Sequence, residues 1–283
     1  MEQKQSEIWN LKSGISNNQF LIETNEIINL PSASILPLLR DNLPVRGGKR
    51  KTLALFADAV FTSDDTRLPS RNTAAAGQVE IKFNQPDSRL RLSRLPFSRR
   101  EANAIMAISP PAESFAALDF AANRETVLKT DLSQFRIVHF ATHGWLDSER
   151  PQLSGIVLSL VNERGERREG FLRLHEIYNL NLSADLVVLS ACQTGLGKTI
   201  GNEGVIGLAR GFMYAGSSRV ISSLWNVDDA ATSELMRVFY QKLLREKLSP
   251  AAALRAAQIA LFKQRRWQSP YFWAAFSIQG EWK

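Results

Sequence analysis

Residues 184–199, ADLVVLSACQTGLGKT, form the stretch on which the interpretation of the whole chain depends. Five of the six residues at 186–191 are apolar, and Val187 and Val188 are β-branched, which predicts a buried central strand. The strand leads into Cys192, the only cysteine of the chain, and then into a turn rich in glycine and small polar residues. Because open α/β sheets place their chemistry beyond the carboxyl ends of strands, this turn is a candidate site.

Composition limits the classes of protein to consider. The chain has 283 residues, of which 44% are hydrophobic and 22% charged, as in ordinary globular domains. It contains no long apolar run for a membrane helix, its start is too polar for a secretory signal, and one cysteine cannot form an internal disulfide. We therefore expect a cytoplasmic protein without a membrane partner. The net charge of +7 is spread over several clusters, which favours solvated faces over a nucleic-acid site.

Apolar runs and helical spacing alternate along the chain. Strands are predicted at 52–57, 115–120, 135–141, 155–161, 186–191, 219–224 and 271–279, and helices at 102–108, 123–132, 174–178, 203–214, 228–244 and 251–264. A further short helix is expected within 30–40, and the segment from Ser98 to Glu101 resembles a capping box for the helix at 102–108. This order predicts a three-layer α/β domain around a mostly parallel sheet, spanning 19–283, after a flexible or truncated segment at 1–18.

One interpretation of the turn is a phosphate-binding loop. Gly197, Lys198 and Thr199 match the end of the P-loop pattern, although Cys192 stands where the opening glycine belongs. The only acidic candidates for a magnesium ligand after a later strand are Asp228 and Asp229. A nucleotide hydrolase that uses Lys198 therefore stays as an alternative.

A second interpretation is a cysteine nucleophile. His143 follows the strand at 135–141, as Cys192 follows the strand at 186–191, so neighbouring parallel strands would place both at one edge. The N–H groups of Gly144 and Cys192 could then stabilise an oxyanion. His139 lies inside its strand and is expected to be a hydrogen-bonded core residue, whereas His175 is expected at the surface or as a cap. Without a second cysteine or a local His/Asp cluster, no metal site is predicted. A buried structural cysteine with an exposed histidine remains the non-catalytic alternative.

The spacing and several segments resemble a known family. Cys192 follows His143 by 49 residues, close to the caspase spacing of about 50. The segments HFATHG (139–144), LSACQTG (189–195), NEGVIGLARGFMYAG (202–216), SSLWNVDDAAT (222–232) and PYFWAAFSIQGEW (270–282) together resemble the CHAT family, a caspase-like peptidase domain usually attached to tetratricopeptide repeats. The resemblance covers about residues 19–282, and the separase peptidase domain is similar at longer range.

The resemblance implies a caspase-like α/β/α sandwich and a cysteine endopeptidase with a His143/Cys192 dyad, acting on a protein substrate without a cofactor. The segment from Asn226 to Asp229 resembles the part of separases that helps to bind a basic P1 side chain, so Asn226, Asp228 and Asp229 are candidate substrate-binding residues. Helix capping by the two aspartates is the alternative. A tetratricopeptide-repeat protein or domain is the implied partner. The short segment at 1–18 replaces a strand-and-turn segment usual in the family, which also keeps open a catalytically idle scaffold.

Overall fold

A seven-stranded sheet forms the centre of the computed structural model, which describes residues 19–30, 49–68, 81–82, 89–90, 92–147, 150–190 and 203–281. The strands are β1 (Ile28–Asn29), β2 (Lys51–Ala57), β3 (Ile81–Lys82), β4 (Arg89–Leu90), β5 (Ser114–Leu118), β6 (Phe135–Ala141), β7 (His143–Trp145), β8 (Gly155–Val157), β9 (Phe171–Arg173), β10 (Leu186–Leu189), β11 (Arg219–Ser223) and β12 (Phe276–Gly280). The central sheet has the order β1-β12-β11-β10-β6-β2-β5.

The sheet is mostly parallel, as predicted. β5, β2, β6, β10 and β11 run in one direction, whereas β12 pairs antiparallel with β11 and parallel with β1. β6 and β10 are direct neighbours, with Phe140 opposite Leu189. Parallel neighbours need a crossover, and the helices between the strands supply it. The remaining described strands form a two-stranded ribbon, β3-β4, and a three-stranded antiparallel sheet, β7-β8-β9.

Helices cover both faces of the central sheet and complete three layers. They are α1 (Pro96–Ile108), α2 (Arg124–Lys129), α3 (Leu174–Tyr178), α4 (Glu203–Tyr214), α5 (Asp229–Tyr240), which continues into a π-helical turn (Gln241–Arg245), and α6 (Pro250–Phe262). α1, α5 and α6 pack on the face that carries Leu53 and Leu55. α2, α3 and α4 pack on the face that carries Ala54 and Phe56. Alternate side chains along a strand therefore pack into two separate hydrophobic cores, one on each face of the sheet.

The structure corrects some local predictions. The segment from Ser98 to Glu101 is not a capping box, because α1 already begins at Pro96 and both residues are buried. The strand predicted at 155–161 ends at Val157. The strand predicted at 271–279 begins only at Phe276, as β12, after a 3₁₀ turn (Pro270–Phe272) and a further turn. The helix expected within 30–40 and the segment 1–18 lie outside the described residues. None of the described helices is both long and apolar enough to cross a membrane.

Candidate functional site

Four neighbouring strands end along one edge of the sheet, and the segments that follow them carry the polar side chains of the candidate site. β2, β6, β10 and β11 run parallel, so their carboxyl ends share this edge. Asp58 follows β2, His143 follows β6, Ser190 follows β10 and Asn226 follows β11. The topology thus gathers residues that are far apart in the sequence.

His143 is buried at this edge, with 3% of its surface exposed. Its Nε2 lies 2.8 Å from the carbonyl oxygen of Ser93, and the ring of Phe61 packs beside it with 4.8 Å between centroids. Its Nδ1 is buried and has no hydrogen-bond partner among the residues that the structure describes. An unpaired buried polar atom costs about 1–3 kcal/mol, so this nitrogen marks a place where a further polar group is expected.

The contact with Ser93 determines the tautomer of His143. A carbonyl oxygen only accepts hydrogen bonds, so Nε2 carries the hydrogen and donates it to Ser93. Burial lowers the pKa of His143, and the bond to the Ser93 carbonyl opposes that shift. The neutral ring then holds its lone pair on Nδ1. The side chain is therefore arranged to accept a proton at Nδ1 while Ser93 holds its other end.

The other half of the predicted dyad lies outside the described residues. Ser190, two residues before Cys192, donates its backbone N–H to the carbonyl of Phe140 at 2.9 Å, which continues the pairing of β10 with β6. The strand that leads to Cys192 and the strand that leads to His143 are thus neighbours, which the dyad hypothesis required. Gly144, the other proposed oxyanion residue, lies in β7 opposite Ile156 of β8. Lys198 and its glycines also lie outside the described residues.

The three candidate substrate-binding residues occupy the segment between β11 and α5. Asn226 is exposed. Asp228 is exposed as well and caps its own helix by accepting the N–H of Ala231 at 2.8 Å. Asp229 is half-buried and accepts the N–H of Phe97, in the first turn of α1, at 3.0 Å. Both aspartates therefore act as helix caps, whether or not they also meet a substrate.

Burial raises the pKa of Asp229 to about 6, and the negative charges of Glu101, Asp228 and Asp58 add to the effect, while the Phe97 N–H opposes it. A cation brought beside this carboxyl group would favour its charged form. Asp229 is thus suited, by its electrostatic surroundings, to a positively charged group.

A second polar array lies beneath the edge, inside the core. His139 is fully buried, with Nδ1 2.9 Å from the hydroxyl of Tyr240 and Nε2 2.8 Å from Oε1 of Glu101. Ser190 donates its hydroxyl to Oε2 of Glu101 at 3.1 Å. The predicted role of His139 as a hydrogen-bonded core residue is confirmed. His175, at the surface as predicted, is exposed.

Sequence reasoning missed Ser93, Glu101 and Asp58. Ser93 acts through its backbone, which no side-chain pattern reveals. Glu101 matched a capping box, and its burial depends on where α1 packs. Asp58 did carry a signal, because a charged residue directly after the apolar run TLALFA stands where a buried strand ends.

Comparisons with known proteins agree with this architecture. The family model of the CHAT domain matches residues 8–281. Tetratricopeptide repeat protein 28 of Homo sapiens is 26% identical over 95% of this chain, and the Mus musculus protein is 28% identical over 56% of it. The alignments cover 11% and 8% of those two proteins, so the chain spans about a tenth of the length of the curated relatives it matches.

A solved structure shows the same arrangement of elements. The separase of the Saccharomyces cerevisiae separase–securin complex superposes with a TM-score of 0.51, covering 90% of this chain and 14% of the separase chain at 14% identity. At that identity the likeness concerns the fold. The three-layer α/β/α architecture around a mostly parallel sheet is therefore the caspase-like fold that the sequence motifs led us to expect.

Proposed function

The chain belongs to the CHAT domain family, and on this premise we propose that it is a cysteine endopeptidase that cleaves a protein partner with a His143/Cys192 dyad, in regulated proteolysis or signalling. The observation that carries the proposal is the state of His143. Its Nε2 is held by the Ser93 carbonyl, while its buried Nδ1 lacks a partner among the described residues. A general base needs one nitrogen oriented and the other available.

The proposed reaction follows thiol-peptidase chemistry. His143 Nδ1 takes the proton of the Cys192 thiol, and the thiolate attacks the scissile carbonyl carbon. The tetrahedral oxyanion is held by the N–H groups of Gly144 and Cys192. When the C–N bond breaks, the proton on Nδ1 passes to the leaving amine and a thioester remains. Nδ1 then takes a proton from water as its oxygen attacks the thioester carbon. The C–S bond breaks, Nδ1 returns the proton to the sulfur, and the carboxylic acid leaves with the thiol restored.

For the substrate side we propose that Asn226, Asp228 and Asp229 meet a basic P1 side chain. Asp229 supports this role best, because its carboxyl group is half-buried and its raised pKa falls when a cation approaches. An arginine or lysine would gain charge-assisted hydrogen bonds there. We expect Asp229→Asn to raise KM for peptides with P1 arginine by about tenfold, and to leave KM for a matched P1 norleucine peptide unchanged.

The test uses the single cysteine. Because the chain has one thiol, alkylation by iodoacetamide reports Cys192 alone. We expect the purified chain to hydrolyse members of a P1-varied peptide library, and Cys192→Ala and His143→Gln to lose this activity. Iodoacetamide should react with the wild type faster than with His143→Gln near neutral pH, because His143 promotes the thiolate.

Other outcomes separate the alternatives. Hydrolysis that survives in Cys192→Ala would refute the mechanism. An unreactive Cys192 in a chain without hydrolytic activity would favour the catalytically idle scaffold. ATP or GTP binding that disappears in Lys198→Ala would favour the nucleotide enzyme. We also infer a cytoplasmic setting. Association with a tetratricopeptide-repeat protein or domain is a further inference, in keeping with the names of the curated relatives.

A further inference from the structure

We propose that Asp58 is a positioning residue for His143, which it orients through Arg94 and the backbone carbonyl of Ser93. The proposal rests on the proposed function only in so far as His143 is the base. The chain of contacts that carries it runs from a buried carboxylate to the ring nitrogen without a gap: Asp58 to Arg94, Arg94 to the adjoining Ser93, and Ser93 to His143.

Asp58 is held in an unusual backbone conformation. It directly follows β2, its φ is 51°, and its side chain has no exposed surface. A left-handed conformation costs a residue with a Cβ about 1–2 kcal/mol, so it persists only where the surroundings demand it. β2 is the direct neighbour of β6 in the sheet. The strained residue thus stands beside the strand end that presents His143.

Three arginines converge on the Asp58 carboxylate. Arg94 forms a fork, with Nε 2.9 Å from Oδ1 and Nη2 2.9 Å from Oδ2. Arg99 donates from Nε to Oδ2 at 2.8 Å, and Arg67 Nη1 lies 3.2 Å from Oδ1. The backbone N–H of Asp58 also donates to Oγ of Ser98 at 3.1 Å. Asp58 therefore fastens the segment 94–99 at three of its residues.

The bidentate contact between Arg94 and Asp58 affects His143 through the peptide bond between Ser93 and Arg94. Ser93 and Arg94 are both exposed, and the carbonyl of Ser93 belongs to the peptide bond that joins them. The orientation of that peptide plane depends on where the Arg94 side chain is anchored. The anchor is strong although the Arg94 side chain is 36% exposed, because the Asp58 side chain is 0% exposed and cannot exchange its partners for water.

The charges around Asp58 balance one another. Arg67 also pairs with Asp65 at 2.7 Å and Asp119 at 2.8 Å, and Arg99 pairs with Asp119. Three arginines thus face three aspartates. Loss of the Asp58 charge would leave one positive charge in excess close to His143. That excess and a looser Ser93 carbonyl would both disfavour the imidazolium ion, so they would lower the pKa of His143 further.

The test compares Asp58→Asn and Arg94→Met with Arg100→Met, which removes an exposed arginine of α1, the helix that Arg94 precedes. The first readout is the ¹⁵N NMR titration of the chain's three histidines, with His143 assigned through His143→Gln. We expect wild-type His143 to be protonated on Nε2 when neutral. In both Asp58→Asn and Arg94→Met we expect a mixture of neutral tautomers of His143, and in Arg100→Met the wild-type spectrum. We expect a lower pKa of His143 in Asp58→Asn, where the excess positive charge and the looser carbonyl act in the same direction. In Arg94→Met the lost positive charge opposes the looser carbonyl, so the tautomer is the readout there.

The second readout is peptide hydrolysis. We expect kcat to fall about tenfold in Asp58→Asn and Arg94→Met with KM unchanged, because only the alignment of the base is affected. If Asp58→Asn does not fold, Arg94→Met decides. A single tautomer protonated on Nε2, as in the wild type, in folded Arg94→Met would overturn the proposal. A chain without any peptidase activity would refute the proposed function instead, since the NMR result would still stand.

Discussion

Two histidines four residues apart in one segment, His139 and His143, have opposite surroundings. His139 lies inside β6 with both ring nitrogens beside polar side chains, Tyr240 on one side and Glu101 on the other. His143 lies beyond the end of β6 with one nitrogen on a backbone carbonyl and the other without a partner among the described residues. The His139–Glu101 contact has an ion-pair distance but not hydrogen-bond geometry, whereas the contact with Tyr240 is a hydrogen bond. A histidine held between two buried polar side chains contributes to the core, whereas one with a nitrogen away from any polar partner can exchange a proton.

The difference follows from position along the strand. Side chains of β6 alternate between two helical layers, so His139 faces α1 and α5, which carry Glu101 and Tyr240. His143 lies past the last pairing of the central sheet, in β7, where Phe61 and the backbone of Ser93 contact it. The C-terminal edge of the sheet therefore separates a histidine held between buried polar side chains from one whose Nδ1 has no partner among the described residues.

The largest expected effect comes from removing the available nitrogen. We expect His143→Gln to lower kcat/KM for peptide hydrolysis by at least about 100-fold, because general base catalysis is worth 10²–10⁴. The free energy of unfolding should change by only about 1 kcal/mol, since one hydrogen bond is lost. Peptide kinetics and urea denaturation measure the two effects, and the exposed His175→Gln is the control. Wild-type turnover in His143→Gln would abolish the contrast between the two histidines.

The opposite pattern is expected for the core histidine. His139→Leu removes the partner of the Tyr240 hydroxyl and leaves the buried Glu101 side chain with Ser190 alone, so we expect the free energy of unfolding to fall by about 3 kcal/mol. Turnover per folded molecule should fall less than tenfold. Urea denaturation measures the change in the free energy of unfolding, with the exposed variant His175→Leu as the control. A change under about 0.5 kcal/mol would show that the array does not stabilise the core.

A smaller effect tests the other end of the array. Burial and the charge of Glu101 raise the pKa of Tyr240, so its hydroxyl keeps its proton and can donate to His139. We expect Tyr240→Phe to lower the free energy of unfolding by about 2 kcal/mol at pH 7, since His139 Nδ1 loses its partner.

The raised pKa of Tyr240 also determines how this stabilisation depends on pH. The wild type should lose this stabilisation as pH rises through the ordinary tyrosine pKa, because the unfolded chain then releases a proton that the native state keeps. Tyr240→Phe should lack that alkaline loss. Equal slopes in wild type and variant above pH 9 would contradict the assignment.

The smallest expected effect is the pH dependence of stability that Asp229 causes. The negative charges of Glu101 and Asp58 help to raise the pKa of its carboxyl group. Its native pKa of about 6 lies above the ordinary 3.8, so the native state binds a proton more readily than the unfolded chain. Stability should therefore fall as pH rises from 4 to 6, by about 1 kcal/mol after solvent screening of this half-buried group.

Asp229→Asn should remove that slope. Asp228→Asn should only reduce it, because Asp228 is one of the charges that raise the pKa of Asp229. Urea denaturation between pH 4 and 7 provides the measurement. A slope that survives in Asp229→Asn would assign it to other carboxylates. The Glu101→Gln variant would sharpen the result further, because it removes one of the charges that raise the pKa of Asp229.

Much of this architecture could be predicted from local patterns. The apolar runs at β2, β6 and β10 predicted buried strands, and their alternation with helices predicted a parallel sheet. The position of His143 after its strand predicted that it lies at the C-terminal edge of the sheet. The sequence left open whether its strand is next to the strand that leads to Cys192, and the pairing of β6 with β10 shows that it is. These predictions depend on periodicity and on the geometry of parallel strands, both of which are local properties.

Only the tertiary structure decided how these residues are used. Glu101 looked like half of a capping box, yet it is buried against His139 and Ser190, because the packing of α1 turns that face toward the sheet. Ser93 and Asp58 acquire their relation to His143 across 50 and 85 residues of sequence. Hydrogen bonds and burial depend on distance in space rather than in sequence, so the dyad's strands could be inferred from the chain, but the partners of its histidine could not.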